Sequence, residues 1–250
     1  MKLKLDKSVL SVKNIVLAAL VLVEFIIYII FNSLLAKPQI DTTYLKYAGV
    51  LLCLTVAVSM IFFTREEKDA IILTGALIAT AISDLFILVI NDYYEIGLVT
   101  FIITQSVYFF RLYRGRKRAY ISLFARIAAI GVLLGIMVPK SGMNLLLIEV
   151  CIYIVMLAGN CIDAWVICTK SVKNLLFAIG ITLFLCCDIC VGLDNGSMVG
   201  IELAEGLKNF VGPAIWAFYL PSQVLIVLSV NKGGLNAVRK EDDGQEVKSA

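Results

Sequence analysis

The sequence predicts an all-α membrane protein, a polytopic bundle of eight transmembrane helices with both termini on the cytosolic side. Three observations lead to this fold class. Of the 250 residues, 60% are hydrophobic and 16% are charged, and the mean hydropathy is +0.93, whereas a soluble domain carries about 25% charged residues. The apolar residues fall into eight long runs, and lysine and arginine gather in alternate connections between the runs.

Each apolar run is long enough to cross the roughly 30 Å hydrocarbon core of a bilayer as an α-helix. The runs cover residues 14–36, 44–64, 69–90, 96–113, 119–138, 143–168, 174–193 and 207–230. The first run follows a basic start, but it is about twice as long as the ~7–15-residue apolar region of a signal peptide. We therefore interpret it as an uncleaved first span. The short connections predict that consecutive helices are antiparallel neighbours.

The chain is predicted to form one membrane domain, residues 14–230, without a second soluble domain. Residues 1–13 are interpreted as a cytosolic N-terminus. Residues 231–250 are polar, carry mixed charge and include Gly233 and Gly234, a composition typical of a disordered cytosolic tail.

The orientation follows from the distribution of basic residues, because cytosolic connections are enriched in lysine and arginine. Seventeen of the 22 basic residues lie on one side, in the N-terminus, three connections and the tail. The other side has four: Lys37, Lys46, Lys140 and Lys208. Arg126 lies within the fifth run. This asymmetry predicts an even number of spans with both ends inside.

Composition also argues against several kinds of functional site. A formal charge of +3 does not indicate nucleic-acid binding, and the absence of histidine excludes histidine-dependent triads and histidine-ligated metal sites. The seven cysteines all lie inside apolar runs, where they are interpreted as small buried side chains rather than a disulfide framework or metal site. We expect no metal and no cofactor.

Polar side chains within the runs are the candidate functional residues, because an ionisable group in the bilayer costs about 2.5–3.5 kcal/mol on insertion scales and faces the bundle interior. They are Glu24, Asp84, Gln105, Arg126, Glu149, Asn160, Asp163, Asp188 and Gln223. Arg126 is interpreted as an ion-pair partner or a residue of the inner interface rather than as a catalyst.

Predicted depth in the membrane distinguishes Asp84 and Asp188 from the other candidate residues. Their runs cross the membrane in the same direction, and the two residues are the 16th and 15th of those runs. At 1.5 Å per residue, both lie roughly 20–24 Å from the cytosolic edge. The two carboxyl groups could therefore face each other across the interior, and Glu149 can reach a similar level.

Two buried carboxyl groups can share one proton, which provides a general acid and a general base without histidine. The alternative is that these groups only join helices through hydrogen bonds to neighbours such as Ser83, Thr80 or Gln105.

Several of these positions resemble the YhhN family, whose characterised members are lysoplasmalogenases. That family has eight spans and an aspartate late in two separate helices. The corresponding stretches here are residues 76–84, ALIATAISD, and residues 182–188, TLFLCCD. Gly97, Phe101, Gln105 and Tyr108 are similar to a family helix, although many members have His in place of Gln105 and Gly in place of Ser83. Tyr153, Met156 and residues 218–223, FYLPSQ, also resemble family positions.

The resemblance implies a membrane-embedded lipid hydrolase that cleaves the sn-1 vinyl ether of lysoplasmalogens into a fatty aldehyde and a glycerophospho-headgroup compound. It implies that Asp84 and Asp188 share the acid and base roles. Gln105, Tyr108, Tyr153 and Gln223 are expected to position water or the headgroup, with Glu149 as a further candidate substrate-binding residue.

Two other functions remain open at the level of sequence. Intramembrane acids also occur in small-solute or proton-coupled transporters, and the chain could be a non-catalytic member of the same fold. Pro213 and Pro221 are expected to interrupt only the last span, whereas many transporters have paired broken helices. We expect a multi-pass protein of the bacterial cell membrane with a lysophospholipid as its partner; the oligomeric state is left open.

Overall fold

The computed structural model describes residues 18–30, 33, 41–63, 67–114, 119–168, 171–195 and 204–230. The described chain is helical, with no strand in these ranges. Its helices are α1 Ala18–Ile30, α2 Thr43–Phe63, α3 Glu67–Asp84 with a π-helical continuation Leu85–Ile90, α4 Tyr94–Tyr113, α5 Ala119–Ser141, α6 Leu145–Ile167, α7 Val172–Asp194 and α8 Glu205–Leu228.

The predicted fold class is confirmed. Within the described ranges, seven helices, α2 to α8, are long and apolar enough to cross a membrane, and α1 is a shorter apolar helix. The rest of the predicted first span, the N-terminus 1–13 and the tail 231–250 lie outside the described residues. The assignment of the two faces to cytosol and exterior stays a prediction.

Among the described helices, six form a closed ring around the interior. Packing proceeds from α2 to α3, α4, α6, α7 and α8, and α8 returns to α2; the α7–α8 interface is the most extensive. Helix α5 lies outside this ring and packs against α6. Helix α1 packs on the core through Leu20, Ile27 and Tyr28. The ring therefore brings side chains of α3, α4, α6, α7 and α8 together at its centre.

The outward faces carry large apolar side chains that a soluble protein would bury. Phe62, Phe124 and Val166 are each more than 70% exposed, and α5 buries very few of its residues. Lipid tails solvate such faces without cost. The buried polar residues lie on the inward faces instead.

Local sequence explains where several helices begin and end. Asn144 and Ser171 accept hydrogen bonds from the first-turn amides of α6 and α7, at 2.7 and 3.3 Å. Such side-chain caps satisfy amides that have no partner within the helix. Gly142, with φ of 74°, follows the end of α5, in the left-handed region that glycine adopts freely.

One prediction about helix continuity is wrong, and the third span has an unexpected feature. Pro213 and Pro221 do not interrupt the last span, because α8 continues through both; neighbouring helices stabilise a helix at the positions where proline lacks an N–H. The third span is not a uniform α-helix, because its α-helical part ends at Asp84 and six π-helical residues follow. π-helical turns are wider than α-helical ones and often occur beside functional sites.

Candidate functional site

Asp84 is the last α-helical residue of α3, and its buried carboxyl group accepts a hydrogen bond from the Tyr219 hydroxyl of α8. The neighbouring residue fixes α3 against α4, because the Ser83 hydroxyl donates to the Gly97 carbonyl at 2.6 Å. A Cβ on Gly97 would lie 2.4 Å from Ile87 Cγ1. The absence of a side chain at Gly97 therefore permits the close approach that holds Asp84 in place.

Asp188 on α7 has the same kind of partner. The Tyr153 hydroxyl of α6 donates a hydrogen bond to its carboxyl group. Asp188 is half-buried, whereas Asp84 is buried, so Asp188 is the more accessible of the two acids. Each carboxyl group is thus held by a tyrosine from a different helix.

The two carboxyl groups are close enough to interact electrostatically, and the Tyr153 hydroxyl interacts electrostatically with both. Asp84 lies seventeen residues after the start of α3, and Asp188 sixteen residues after the start of α7. The two residues therefore lie at similar positions along their helices, and their predicted depth in the membrane stays a prediction. Four helices therefore contribute one polar group each to a single cluster.

Aromatic rings surround this cluster. Phe101 of α4 contacts Tyr153 and Phe184, with ring centroids 5.5 and 5.9 Å apart. Phe184 also contacts Tyr219 at 5.6 Å, edge to face, and Trp216 contacts Tyr219 at 5.5 Å. The rings place the two acids in an apolar, weakly screening interior, where electrostatic interactions are stronger than in water.

This arrangement can perform acid–base chemistry. Two ionised carboxylates in one apolar site repel each other, so such pairs commonly hold one proton between them. One group can then donate a proton while the other accepts one. Within the described ranges, no group of three or more Cys, Asp or Glu side chains could hold a metal ion.

The other predicted site residues lie at different positions along the interior. Glu149 lies one turn before Tyr153 on α6 and interacts electrostatically with Glu95. Gln105 accepts hydrogen bonds from the Asn160 side-chain amide through its main-chain and side-chain oxygens, at 2.8 and 2.9 Å. Neither residue has a hydrogen bond to the acid pair. Both stay predicted substrate-binding residues.

Tyr108 and Gln223 are fully buried. The Tyr108 ring contacts Phe177 at 5.5 Å, edge to face. The Gln223 amide nitrogen lies 3.3 Å from Ser222 Oγ. Tyr153 is the only one of the five predicted substrate-binding residues for which the described contacts include a hydrogen bond to Asp84 or Asp188.

Arg126 forms the ion pair that the sequence suggests. Its guanidinium donates to Asp163 at 2.5 Å and to the Asn160 side-chain oxygen at 2.9 Å. It also lies over the Phe109 ring, 4.6 Å from the centroid. A Cβ on Gly159 would lie 2.6 Å from the guanidinium. This network attaches the peripheral helix α5 to the ring at some distance from the acid pair.

Sequence reasoning missed Tyr219 as a site residue, although it lies in the FYLPSQ stretch. The sequence did offer an indication, because Tyr219 places a hydroxyl group in the apolar last span. A buried tyrosine hydroxyl usually needs a hydrogen-bond partner. Asp69 was also missed, because its place at the beginning of a span is typical of a solvated interfacial residue. The structure instead buries Asp69 with Arg111 and Lys173.

The fold and the site define a class: a polytopic helical membrane protein with a pair of interior carboxylates. Comparison with known families makes the assignment specific. The family model that matches is that of the YhhN family, over residues 41–230, so the chain belongs to the YhhN family. No curated protein and no solved structure matches the chain.

Proposed function

We propose that this protein is a membrane-embedded lysoplasmalogenase, which hydrolyses the sn-1 vinyl ether bond of lysoplasmalogens with Asp84 and Asp188 as its acid and base. The observation that supports the proposal is the interior pair of interacting carboxyl groups, each bonded to a tyrosine. Membership in the YhhN family supports the same substrate class.

The first step uses the carboxyl group that holds the proton. It transfers that proton to the β-carbon of the vinyl ether, and the double-bond electrons form the new C–H bond. The carbon bonded to the ether oxygen becomes an oxocarbenium ion, and the donor becomes a carboxylate. Two carboxylates then flank the cation and stabilise it electrostatically.

The second step adds water. Its oxygen bonds to the oxocarbenium carbon while the other carboxylate takes a water proton, which gives a hemiacetal. The hemiacetal then breaks down. The proton of the hemiacetal hydroxyl returns to the first carboxylate as the bond between carbon and the glycerol oxygen breaks. The glycerol oxygen receives the proton held by the second carboxyl group. The products are a fatty aldehyde and a glycerophospho-headgroup compound, and both acids regain their original states.

The tyrosines position the acids for these transfers. Tyr219 and Tyr153 fix the direction of each carboxyl group, so the reacting atoms need less reorientation. The apolar rings around them suit an alkenyl chain, which would enter from the surrounding lipid.

The test is to incubate purified, reconstituted protein with a lysoplasmalogen and to measure aldehyde release. The saturated 1-alkyl ether lysolipid and the 1-acyl lysolipid are matched substrates. We expect aldehyde from the vinyl ether and no cleavage of the alkyl ether, because the alkyl ether has no double bond to protonate. In D2O, aldehyde that is reduced at once should carry one deuterium at C2.

Two substitutions test the residue assignment. Asp84→Asn and Asp188→Asn should each abolish turnover because neither amide can transfer the required protons. Asp194→Asn is the matched control, since Asp194 is exposed at the end of the same helix as Asp188, and it should retain activity. Near-native turnover by either interior variant would contradict the acid–base mechanism. Folded wild-type protein that releases no aldehyde would contradict the proposed function itself.

A further inference from the structure

A second polar site lies at the opposite end of the ring from the acid pair. A cleft of about 600 Å³ opens there among the beginnings of α3 and α7 and the ends of α4 and α6. This volume is within the range of about 300–1,000 Å³ that is typical of small-molecule sites. The cleft is large enough for a ligand rather than for single waters alone.

Asp69 is at the centre of the charges in this cleft. Arg111 donates to both of its oxygens, from Nε at 2.9 Å and from Nη2 at 3.0 Å. Lys173 Nζ lies 2.7 Å from Asp69 Oδ2. The side chains of Asp69 and Arg111 are only 9% and 6% exposed. One buried carboxylate is therefore shared by two cations.

The lining has more cations than carboxylates. It includes four basic residues, Lys68, Arg111, Arg114 and Lys173, but two acidic ones, Glu67 and Asp69. Lys68 and Arg114 are exposed at the rim. The net positive charge indicates an anionic ligand.

Membrane orientation alone does not account for this arrangement. The positive-inside bias requires basic residues in the connections between spans, where they can stay in water. Arg111 instead is buried, with its guanidinium 4.8 Å from the Phe177 ring centroid and 3.4 Å from the Ser229 carbonyl. A guanidinium held in this way is a preorganised partner for a planar carboxylate or a phosphate.

The cleft is separate from the acid pair. Asp69 and Asp84 are fifteen residues apart on α3, which corresponds to about 22 Å along a helix. The Phe177 and Tyr108 rings, 5.5 Å apart, are buried between the two levels. The phosphate of a lysolipid whose ether bond lies at Asp84 and Asp188 would not reach Arg111.

We propose that this cleft is a binding site for a phosphate-bearing anion, and that Asp69 is an internal counter-ion that holds Arg111 and Lys173 in place for it. The phosphate can belong to a lipid headgroup or to a soluble phosphate ester. Its oxygens would contact the rim cations Lys68 and Arg114 first and then compete with Asp69 for the two inner cations.

Binding can be measured on the full-length protein in an uncharged detergent. The probes are dioctanoyl phosphatidic acid, glycerol 3-phosphate and, as the zwitterionic control, dioctanoyl phosphatidylcholine. We expect phosphatidic acid to bind, more weakly as salt rises, and phosphatidylcholine to bind at least tenfold more weakly. Binding of glycerol 3-phosphate with the same salt dependence would identify a soluble ester as the ligand class; its failure to bind would identify a lipid headgroup.

Variants locate the site. Lys68→Gln with Arg114→Gln should weaken phosphatidic acid binding about 30-fold, because each of the two cations near an anionic headgroup contributes about 1 kcal/mol. Both residues are exposed, so the fold should survive. Lys46→Gln removes one positive charge beside Trp216, outside the cleft, and is therefore the control for each of the two rim substitutions made singly. It should leave binding unchanged.

Asp69→Asn tests the counter-ion role and should change affinity in the opposite direction. Removing the competing carboxylate should tighten phosphatidic acid binding several-fold. A folded Asp69→Asn protein that binds no more tightly than wild type would overturn the counter-ion role. Equal binding by wild type and the rim double variant, or an equal loss in Lys46→Gln, would overturn the site. These outcomes do not depend on aldehyde release, so the site and the proposed hydrolase activity can fail separately.

Discussion

The Tyr219 hydroxyl on α8 donates a hydrogen bond to the carboxyl group of Asp84 on α3, across the interior of the helical ring. Tyr153 on α6 and Asp188 on α7 repeat this relationship. In the Tyr219–Asp84 pair, residues 135 positions apart in the chain meet. The geometry of both acids therefore depends on how four helices pack.

Tyr219→Phe removes the hydrogen bond to Asp84 and retains the ring that contacts Phe184 and Trp216. We expect kcat for vinyl ether hydrolysis to fall about tenfold, because a hydrogen bond to a buried polar group is worth roughly 1–2 kcal/mol. Tyr94→Phe is the control, since the Tyr94 hydroxyl bonds Asn91 at an exposed position. A Tyr219→Phe enzyme as fast as Tyr94→Phe would show that this bond does not position Asp84.

Tyr153→Phe should lower kcat by a similar factor through Asp188. Because the two carboxyl groups interact electrostatically, the effects of Tyr153→Phe and Tyr219→Phe should not be independent. In the double variant, the loss of transition-state stabilisation should differ from the sum of the single losses by about 0.5 kcal/mol or more. Strict additivity, measured from kcat/KM in all four proteins, would indicate that the acids act separately.

Sequence could predict that Asp84 and Asp188 lie at similar positions along their helices, because position along a helix follows from a fixed rise per residue. It could also predict that Arg126 is paired, because a charge inside the bundle requires a partner. The fold class followed from the length and spacing of the apolar runs. These properties can be read from the sequence without knowledge of how the helices pack against one another.

The partners of the acids could not be predicted in the same way. A membrane helix is apolar on most of its faces, so hydropathy does not show which face meets which neighbour. The pairing of Tyr219 with Asp84 depends on the rotation of α8 against α3. The π-helical turn after Asp84 changes the direction of the residues that follow it. Residues 85–90 contain no proline or glycine that would have indicated this π-helical turn in the sequence.

Gly180→Ala should destabilise the interface between α7 and α8. A Cβ at this position would lie 2.9 Å from Ile226 Cγ1 and 3.1 Å from both the Ile226 nitrogen and the Ser222 carbonyl oxygen. Because two of these atoms belong to the backbone of α8, the helices must separate, at a cost of about 1–3 kcal/mol. Thermal unfolding in detergent should show a lower Tm.

Gly192→Ala on the same helix is the matched control for that substitution. No atom of a neighbouring described residue lies within 4 Å of the Cβ that it would add, and alanine favours a helix over glycine by roughly 1 kcal/mol. Its Tm should therefore be equal to or above that of the wild type. A Gly180→Ala protein as stable as Gly192→Ala would contradict the close packing of α7 against α8.

Removing one partner of the Arg126–Asp163 ion pair should loosen α5, which packs outside the ring. The side chains are 4% and 17% exposed, so Arg126→Met leaves a largely buried carboxylate without its cation, a change that costs about 3 kcal/mol or more in buried pairs. Ser122→Ala removes the 2.8 Å bond to Asp163 but leaves its cation in place, and should cost about 1 kcal/mol. Arg126→Met with Asp163→Leu removes both charges and should recover much of the lost stability. Thermal unfolding of the three variants measures this order, and a double variant less stable than Arg126→Met would contradict the role of the unpaired charge.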